Sequence, residues 1–344
     1  MEKLTLVKEE IESIQTLLAT VTSQYSSVDD VDFLIEAPSL AHELPKRVRH
    51  FLNKFKALEP SAGVCIISGY PISDEKIGTT PKHWNDKQNP PRTLEEEVLF
   101  VLLASLLGDV FGWLTQQDGH IIHEVVPIIE YANEQISTGS EEPIWWHNED
   151  AFHPYRGDYV GLLCLRNPDH VATTFAPVDG VDIDPAQCKI LLQPRFLILP
   201  DKSHQKENNT AERSTQEHSD ETVKEAFDRI SQMGQSQEKI SVLYGVDGSY
   251  YIRADPYFME FLEDDEEAKQ ALNALVNSIN SRLAEIVLQP GDFCFIDNYK
   301  AVHGRKSFRA KYDGKDRWLK RINVTRDLRK SRYSRASAAS RIIF

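Results

Sequence analysis

Apolar residues recur at helical spacing in the first third of the chain. Ile11, Ile14, Leu18 and Val21 lie three or four positions apart, which is typical of one helix face. Such patterns predict three helices, at 1–24, 46–58 and 93–107. A short apolar run bounded by glycines, at 63–69, predicts a buried strand. Residues 1–115 are therefore expected to form a mostly helical support.

After residue 120, short apolar runs alternate with Pro, Gly and Asp. This pattern predicts six strands, at 125–129, 159–165, 196–199, 240–244, 250–253 and 293–296. One helix, at 264–283, interrupts them. Strands at this density predict a mainly β protein with flanking α-helices, arranged as a sandwich or a barrel.

A polar segment at 202–220 contains no large apolar side chain. Long polar insertions in globular domains are usually functional lids or disordered loops. A loop that orders over a bound substrate would satisfy both descriptions. We predict a mobile lid within residues 200–235.

Charge is distributed unevenly along the 344 residues, whose formal net charge is −14. Residues 300–344 contain 15 Lys and Arg against 3 Asp and Glu, a net charge of +12. The acidic total disfavours a general nucleic-acid or anionic-membrane binder, because such binders carry excess Lys and Arg. The basic segment 300–344 is either a tail that binds an acidic partner or part of an anion-binding site.

Other features favour a cytoplasmic soluble protein. No apolar run reaches the roughly 18–20 residues that span a bilayer, and the first residues lack the pattern of a signal peptide. The four cysteines are far apart and form no CxxC pair, which disfavours a disulfide framework or a zinc ribbon. The oligomeric state stays open, and a homo-oligomer is possible.

The strongest chemical signal is the motif His147-Asn148-Glu149. Residues i and i+2 of a strand point to the same face, so the imidazole and the carboxylate would project together. These are two members of the His-carboxylate-His triad of non-haem iron oxygenases. His303, between Val302 and Gly304 in a predicted strand, is a candidate third ligand. Each residue alone is more often an ordinary surface or structural side chain.

Arg317 follows His303 by 14 residues and is flanked by Trp318. A guanidinium held by packed neighbours is suited to binding a carboxylate through two hydrogen bonds. An HxE motif, a distant His and this Arg together are far more specific than any one of them.

On the basis of these residues, the sequence resembles the Fe(II)/2-oxoglutarate-dependent oxygenases of the clavaminate-synthase-like group. Within that group, it is most similar to the hydroxylases of free arginine, asparagine or lysine. The runs 147–167 and 303–321 are similar to that group's two site strands. The resemblance covers nearly the whole chain. It implies a single oxygenase domain, 1–344, with a double-stranded β-helix (jelly-roll) core at 120–330.

The resemblance also implies a ligand set and a cosubstrate site. Fe(II) would be bound by His147, Glu149 and His303, leaving positions for 2-oxoglutarate and O2. Arg317 would hold the far carboxylate of 2-oxoglutarate, with a hydroxyl from Thr173 or Thr174. We expect Thr174 to be the one, although the spacing leaves both open.

For the amino-acid substrate, the resemblance assigns the α-carboxylate to Arg321. The α-amino group would be bound by Gln117 or Gln116, with Gln117 preferred, together with the free oxygen of Glu149. Arginine-hydroxylating relatives hold the guanidinium with two acids spaced i, i+2. Here Asp255 keeps the first acid and Tyr257 replaces the second, which favours lysine over arginine. The expected reaction is hydroxylation of free L-lysine at C3 or C4, giving succinate and CO2.

Three alternatives remain at this stage. A zinc hydrolase with the same ligands would need neither Arg317 nor 2-oxoglutarate. A cupin-like binding protein would bind metal without turnover. A regulatory protein binding nucleic acid through 300–344 would be retained on a polyanion at physiological salt. The expected partner is a free amino acid, with neither nucleic acid nor membrane.

Overall fold

Two β-sheets enclose a shared apolar layer, and helices cover the outer face of the larger sheet. The computed structural model describes residues 1–86, 90–206, 209, 219–236, 238–246, 248–260 and 265–344. The larger sheet has eight strands: β1 (Glu2–Thr5), β2 (Val64–Ser68), β3 (Asp109–Trp113), β4 (Ile122–Val125), β6 (Tyr159–Arg166), β13 (Phe293–Asp297), β15 (Trp318–Thr325) and β16 (Ile342–Ile343).

The smaller sheet carries the candidate metal ligands. Its four strands, in spatial order, are β12 (Ala284–Ile286), β7 (Thr173–Pro177), β14 (Ala301–Arg305) and β5 (Ile144–His147). Two hydrogen-bonded pairs lie outside both sheets: β9 (Leu243–Val246) with β10 (Ser249–Ile252), and β8 (Leu197–Ile198) with β11 (Met259–Glu260). Side chains from both sheets, including Leu162, Phe175, Ile286 and Leu319, form one buried cluster between them.

Eight α-helices are present among the described residues. They are α1 (Lys8–Thr22), α2 (Val31–Leu40), α3 (Lys46–Leu58), α4 (Asp74–Ile77), α5 (Leu94–Ser105), α6 (Pro185–Leu191), α7 (Asp220–Gln235) and α8 (Glu266–Asn280). Helices α1, α2, α3 and α5 bury their apolar faces in one cluster with the outer face of the larger sheet. The N-terminal third, which contains these helices, also supplies β1, β2 and β3 to that sheet.

Strand β15 alternates between the two apolar layers. Trp318 and Ile322 belong to the helical side, whereas Leu319 belongs to the layer between the sheets. Lys320, on the helical side, is fully buried and bonded to Glu97 (Nζ to Oε1, 2.8 Å) and to Glu124. Because side chains alternate along a strand, Arg321 shares the inter-sheet side with Leu319.

Most predicted elements are present, with shifted ends. The helix predicted at 46–58 has those bounds in the structure, whereas the strand predicted at 125–129 ends at Val125. Helices α2, α4, α6 and α7 were not predicted. The first residue of the helix predicted at 264–283 lies outside the described residues, and α8 begins at Glu266.

The predicted lid, 200–235, needs correction at its second half. Residues 220–235 form helix α7, which buries Ala226 and Ile230. Arg229 of this helix donates to the Ser334 hydroxyl (2.7 Å) and to the Phe344 carbonyl (2.5 Å). The prediction for 207–208 and 210–218 lies outside the described residues. No helix that the structure describes is both long and apolar enough to span a bilayer.

Candidate active site

Strands β5 and β14 bring the two candidate histidine ligands face to face. His147 pairs with His303 in the antiparallel ladder, and their ring centroids are 4.6 Å apart. The Glu149 Oε2 atom lies 3.8 Å from His147 Nε2 and 3.3 Å from His303 Nε2. Two imidazoles and one carboxylate, with one donor atom from each all within 4.8 Å, form a donor set suited to Fe(II).

Two asparagines fix the backbone that turns Glu149 toward the histidines. The side chain of Asn148 is fully buried and donates to the carbonyls of Asn298 (2.9 Å) and Ala301 (3.1 Å). Asn298 in turn accepts from the Glu149 amide (2.8 Å) and donates to its carbonyl (3.0 Å). Sequence reasoning placed Asn148 away from the site but missed Asn298.

The charges at this cluster are strongly coupled. Burial raises the pKa of Glu149, but Arg321 and the two histidines outweigh it, so the pKa lies well below its usual range. Burial lowers the pKa of His147, yet Glu149 and Asp255 raise it to about 9. Burial dominates at His303 and lowers its pKa. The carboxylate is therefore ionised, the form in which it binds a metal.

Arg321 connects the triad to the next part of the cleft. Its Nη1 atom is paired with Glu149 Oε1, so the carboxylate directs one oxygen to the arginine and the other to the histidines. Its Nη2 atom contacts Gln116 Oε1 (2.8 Å) and His123 Nδ1 (2.7 Å). Neither Gln116 nor His123 was assigned to Arg321 from the sequence.

The structure corrects the preference for Gln117. This residue has a φ of +44°, and both ends of its amide bind the Glu124 backbone (2.9 Å and 2.8 Å). Gln116 instead directs its amide to Arg321 and to the Ser203 hydroxyl. Gln116 is therefore the glutamine whose amide lies beside Glu149 and Arg321.

Arg317 is buried at the cleft and has no counter-charge among the residues that the structure describes. It makes no hydrogen bond or ion pair with any other residue that the structure describes, and its Nε atom has no partner. Burial lowers its pKa to about 10, which leaves the guanidinium charged at neutral pH. Since a buried cation without a partner is costly, this arrangement fits a site for an anionic ligand.

The structure also corrects the preference for Thr174. Thr173 lines the cleft together with Arg317. Thr174 faces the other way, because its hydroxyl lies near Gly304, 2.9 Å from the position where a Cβ on that glycine would stand. Successive side chains of a strand point to opposite faces, so only Thr173 can share the cleft with the arginine.

Two carboxylates line another part of the same cleft. Asp255 is 9% exposed, and burial together with the charge of Asp201 raises its pKa to about 6, against the opposing effect of His147. Asp201 lines the cleft too and was not identified from the sequence. Tyr257 also lines the cleft but is 47% exposed. The site thus contains a second acid, brought from a different segment.

Arg305 and Asp255 both lie near the candidate metal ligands. Along β14, Arg305 is two residues beyond His303 and pairs with Thr173 and with Ile144; its charge contributes to the cationic region around Arg317. Asp255 directly follows Ala254, whose carbonyl accepts from the backbone amide of Asn148 (2.8 Å). The cleft thus places Arg305 close enough to Arg317 for their charges to interact, and Asp255 close enough to interact with His147.

Comparison with known proteins gives full-length relatives. Residues 191–323 match the family described as taurine catabolism dioxygenase TauD, TfdA family. The chain is 41% identical over 350 residues to the enduracididine β-hydroxylase of Streptomyces hygroscopicus, covering 100% of both chains. It is 40% identical over 345 residues to an L-ornithine/L-arginine 3-hydroxylase of Catenulispora acidiphila, again covering both chains completely.

The structural comparison agrees with these relatives. The non-haem iron oxygenase OrfP, in a complex with Fe, succinate and (3S)-hydroxy-L-Arg, matches with a TM-score of 0.93 and 40% identity over 100% of both chains. By contrast, the L-lysine 3-hydroxylase of Catenulispora acidiphila is only 26% identical over 340 residues. The relatives that act on lysine are therefore more distant than those that act on arginine.

Proposed function

This chain belongs to the Fe(II)/2-oxoglutarate-dependent amino-acid hydroxylases, and from that premise we propose that it hydroxylates C3 of free L-arginine or a close guanidino analogue. Fe(II) is its metal and 2-oxoglutarate its cosubstrate. When bound, they supply the oxidising chemistry that converts an unactivated C–H bond to C–OH, with release of succinate and CO2. The protein contributes binding, orientation and exclusion of water.

The cofactor end of the cleft is formed by five side chains. Fe(II) would be held by the triad His147, Glu149 and His303. Arg317 would bind the far carboxylate of 2-oxoglutarate, and Thr173 would donate its hydroxyl to the same group. The support is that Arg317 is buried, charged and without a counter-charge among the described residues, and that Thr173 lines the cleft with it.

The backbone end of the amino acid would lie at Arg321. Its guanidinium would take the α-carboxylate, whereas the Gln116 amide and the Glu149 oxygen that faces Arg321 would accept from the α-amino group. Arg321 bonds both to the Gln116 amide oxygen and to Glu149. The substrate would therefore exchange one set of charge-assisted bonds for another.

One observation carries the choice of arginine: Asp255 and Asp201 line one cleft. The preference for lysine rested on Tyr257 replacing the second acid of an i, i+2 pair, and that reasoning overlooked Asp201. A planar guanidinium has five donors and can bind two carboxylates at once, whereas an ammonium is a compact point charge. Lysine is accordingly the less favoured substrate.

Hydroxylation at C3 rather than C4 is supported by the names of the relatives, one a β-hydroxylase and one a 3-hydroxylase. We further propose that the two sheets form the double-stranded β-helix of a single oxygenase domain. The shared buried cluster between an eight-stranded and a four-stranded sheet supports this arrangement.

The test compares the rates with three basic amino acids, each assayed separately. Purified protein is incubated with Fe(II), ascorbate, 2-oxoglutarate and air, and L-arginine, L-ornithine and L-lysine are each assayed for succinate and for a mass gain of one oxygen. We expect kcat/KM for arginine to exceed that for lysine by at least about tenfold, because losing one charge-assisted bond costs about 1.5 kcal/mol or more. The position of the hydroxyl group is read by NMR.

The matched variants are Asp201→Asn and Asp255→Asn. Each should narrow the preference for arginine over lysine, while 2-oxoglutarate decay without substrate continues. A higher kcat/KM for lysine than for arginine in the wild type would contradict the proposed substrate. The same preference in all three proteins would remove the carboxylates from their assigned role.

A further inference from the structure

His204 is a fully buried histidine at the start of the polar segment. Its ring has no solvent exposure, and both nitrogens have partners within the protein. Nδ1 lies 2.8 Å from the Thr115 hydroxyl, and Nε2 lies 3.0 Å from Asp150 Oδ1. The rings of Phe152 and Trp113 meet it edge to face, with centroids 5.0 and 5.7 Å away.

Asp150, the acceptor for His204, directly follows the metal ligand Glu149. Its backbone is left-handed, with a φ of +51°. Its second oxygen accepts from Trp113 Nε1 at 2.5 Å, so neither carboxylate oxygen lacks a partner. A buried imidazole is thus bonded to the residue that continues the metal-binding motif.

The residues next to His204 face the cleft. We refer to residues 201–205 as the His204 turn, in which Asp201 caps a short 3-10 helix by accepting from the Ser203 amide (2.6 Å). Asp201 and Ser203 line the cleft. The Ser203 hydroxyl accepts from the Gln116 amide, whose oxygen accepts from Arg321. Within the turn, two residues face the substrate cleft and a third inserts into the protein.

The imidazole is a fully buried attachment of this turn. An ion pair of Lys202 with Glu134 (2.6 Å) is about 40% exposed on both sides, and exposed pairs contribute little to stability. The His204 ring, in contrast, is bonded at both nitrogens away from water. Because a buried nitrogen without a partner is costly, the ring is favoured either fully inserted or fully withdrawn.

We propose that His204 is a positioning residue for the amino-acid substrate: its imidazole, held between Asp150 and Thr115, keeps Asp201 and Ser203 at the cleft. This inference rests on the proposed function, since Asp201 is taken as a contact of the substrate side chain. It assigns His204 no contact with substrate or metal. Its effect is limited to the positions of Asp201 and Ser203.

The same atoms do not argue for a second metal centre. Asp150, Asp201 and His204 each offer a donor atom within 4.8 Å of the others. However, both oxygens of Asp150 and both nitrogens of His204 already bond to protein groups. The donor atoms of Asp150 and His204 are thus already engaged in hydrogen bonds within the protein.

The test combines kinetics with amide hydrogen exchange. His204→Ala should raise the KM for L-arginine at least about tenfold and increase the succinate formed per hydroxyarginine, with the KM for 2-oxoglutarate within about twofold of wild type. Hydrogen exchange of metal-free protein should rise in a peptide spanning 199–206 and stay unchanged in one spanning 318–325. A role confined to global stability would raise exchange in both peptides.

Three further variants keep the test decisive. Thr115→Val removes one partner of the ring with little change of shape, and we expect the same changes in smaller degree, so the proposal is testable even if His204→Ala folds poorly. His204→Gln can restore a donor toward Asp150 and should recover part of the KM. His42→Ala, at an exposed histidine, is the matched control and should change nothing.

The outcomes separate this proposal from the proposed function. If the wild type hydroxylates no amino acid, the proposed function fails, and hydrogen exchange still tests the attachment of the turn. If the wild type is active while His204→Ala and Thr115→Val keep its KM, coupling and exchange, His204 has no positioning role and the proposal is overturned.

Discussion

At the scale of single residues, Glu149 links the metal centre to the substrate end of the cleft. One of its oxygens faces the two histidines, and the other is paired with Arg321. A metal bound at the first oxygen and the α-amino group of a substrate bound at the second would therefore share the same carboxylate charge. This shared group offers a physical reason for the two sites to influence each other.

The burial of the Asp255 carboxylate lowers the free energy of unfolding by an amount that can be measured. Its pKa of about 6 lies above the ordinary value of 3.8, so the folded state disfavours the charged form. The penalty is absent below about pH 4, grows as the pH rises toward 6 and is complete above it. Asp255→Asn should stabilise the metal-free protein at pH 8 by up to about 3 kcal/mol.

The measurement is urea unfolding of both proteins with chelator present, at pH 8 and pH 5. The stabilisation should shrink at pH 5. The same substitution should lower kcat/KM for arginine about 100-fold, because it removes a buried charge that the guanidinium needs. Wild-type kcat/KM should fall as the pH drops through about 6, and a flat profile would exclude Asp255 as the titrating group.

Thr173 and Thr174 are a natural matched pair for the cosubstrate site. Thr173→Val should raise the KM for 2-oxoglutarate about 10- to 100-fold, since a hydrogen bond to a charged group contributes about 1.5–3 kcal/mol. Thr174→Val, on the opposite face of β7, should leave it within about twofold. Initial rates of succinate formation at saturating amino acid measure both. The reverse pattern would restore the original preference for Thr174.

These residues show what the sequence could and could not predict about the site. The HxE spacing predicted that His147 and Glu149 project together, and the two side chains do lie close, with Glu149 Oε2 3.8 Å from His147 Nε2. The family resemblance built on them is confirmed by full-length relatives. The choices between Thr173 and Thr174, and between Gln116 and Gln117, depended on the strand face and on a positive φ, which spacing alone does not reveal. Asp201 was missed because it comes from a distant segment.

At the scale of elements, the β5–β14 ladder sets the distance between the two histidine ligands. A Cβ at Gly304 would lie 2.5 Å from the Ile144 carbonyl oxygen and 2.9 Å from the Thr174 hydroxyl. A backbone carbonyl can move away only if the two strands separate. Gly304→Ala should therefore destabilise the protein by about 1–3 kcal/mol and weaken Fe(II) binding at least about tenfold.

Urea unfolding and anaerobic Fe(II) titration measure these two effects. The matched control is Gly234→Ala in α7, where the nearest atom to an added Cβ is 3.5 Å away, an ordinary contact. That change should stabilise the protein by about 0.5–1 kcal/mol, because alanine favours a helix, and should leave metal affinity unchanged. Unaltered Fe(II) binding in Gly304→Ala would mean that the ladder tolerates opening.

Some elements were predicted with their observed bounds, whereas others were missed. Helix α3 has a strongly amphipathic pattern and was predicted with its observed bounds. Helix α7 follows a polar segment and buries Ala226 and Ile230. Its apolar residues do recur at helical spacing, and the prediction of a lid over 200–235 overlooked that pattern: Val223, Ala226, Phe227, Ile230 and Met233. Strand β3 was also missed, because Asp109–Trp113 is short and directly follows α5.

At the scale of the whole molecule, the basic C-terminal segment is largely bonded within the protein. Arg326 pairs with Glu59 (3.2 Å) and Arg341 with Asp109 (2.6 Å), both acids of the N-terminal third. Arg335 is buried and donates to backbone carbonyls, including that of Ser340 at 2.6 Å. Arg317 and Arg321 face the cleft. The net charge of this segment is therefore divided between a ligand site and internal contacts.

This distribution predicts that the protein does not bind polyanions. Affinity for a phosphate or sulfate backbone requires several exposed cations that can release counterions together, and it weakens steeply with salt. The acidic remainder of the chain also repels such a ligand. We expect elution from immobilised heparin below about 0.15 M NaCl, the physiological range. Retention above that concentration, lost in a variant with Arg329, Lys330 and Arg332 changed to Ser, would instead identify 329–332 as an anion-binding surface.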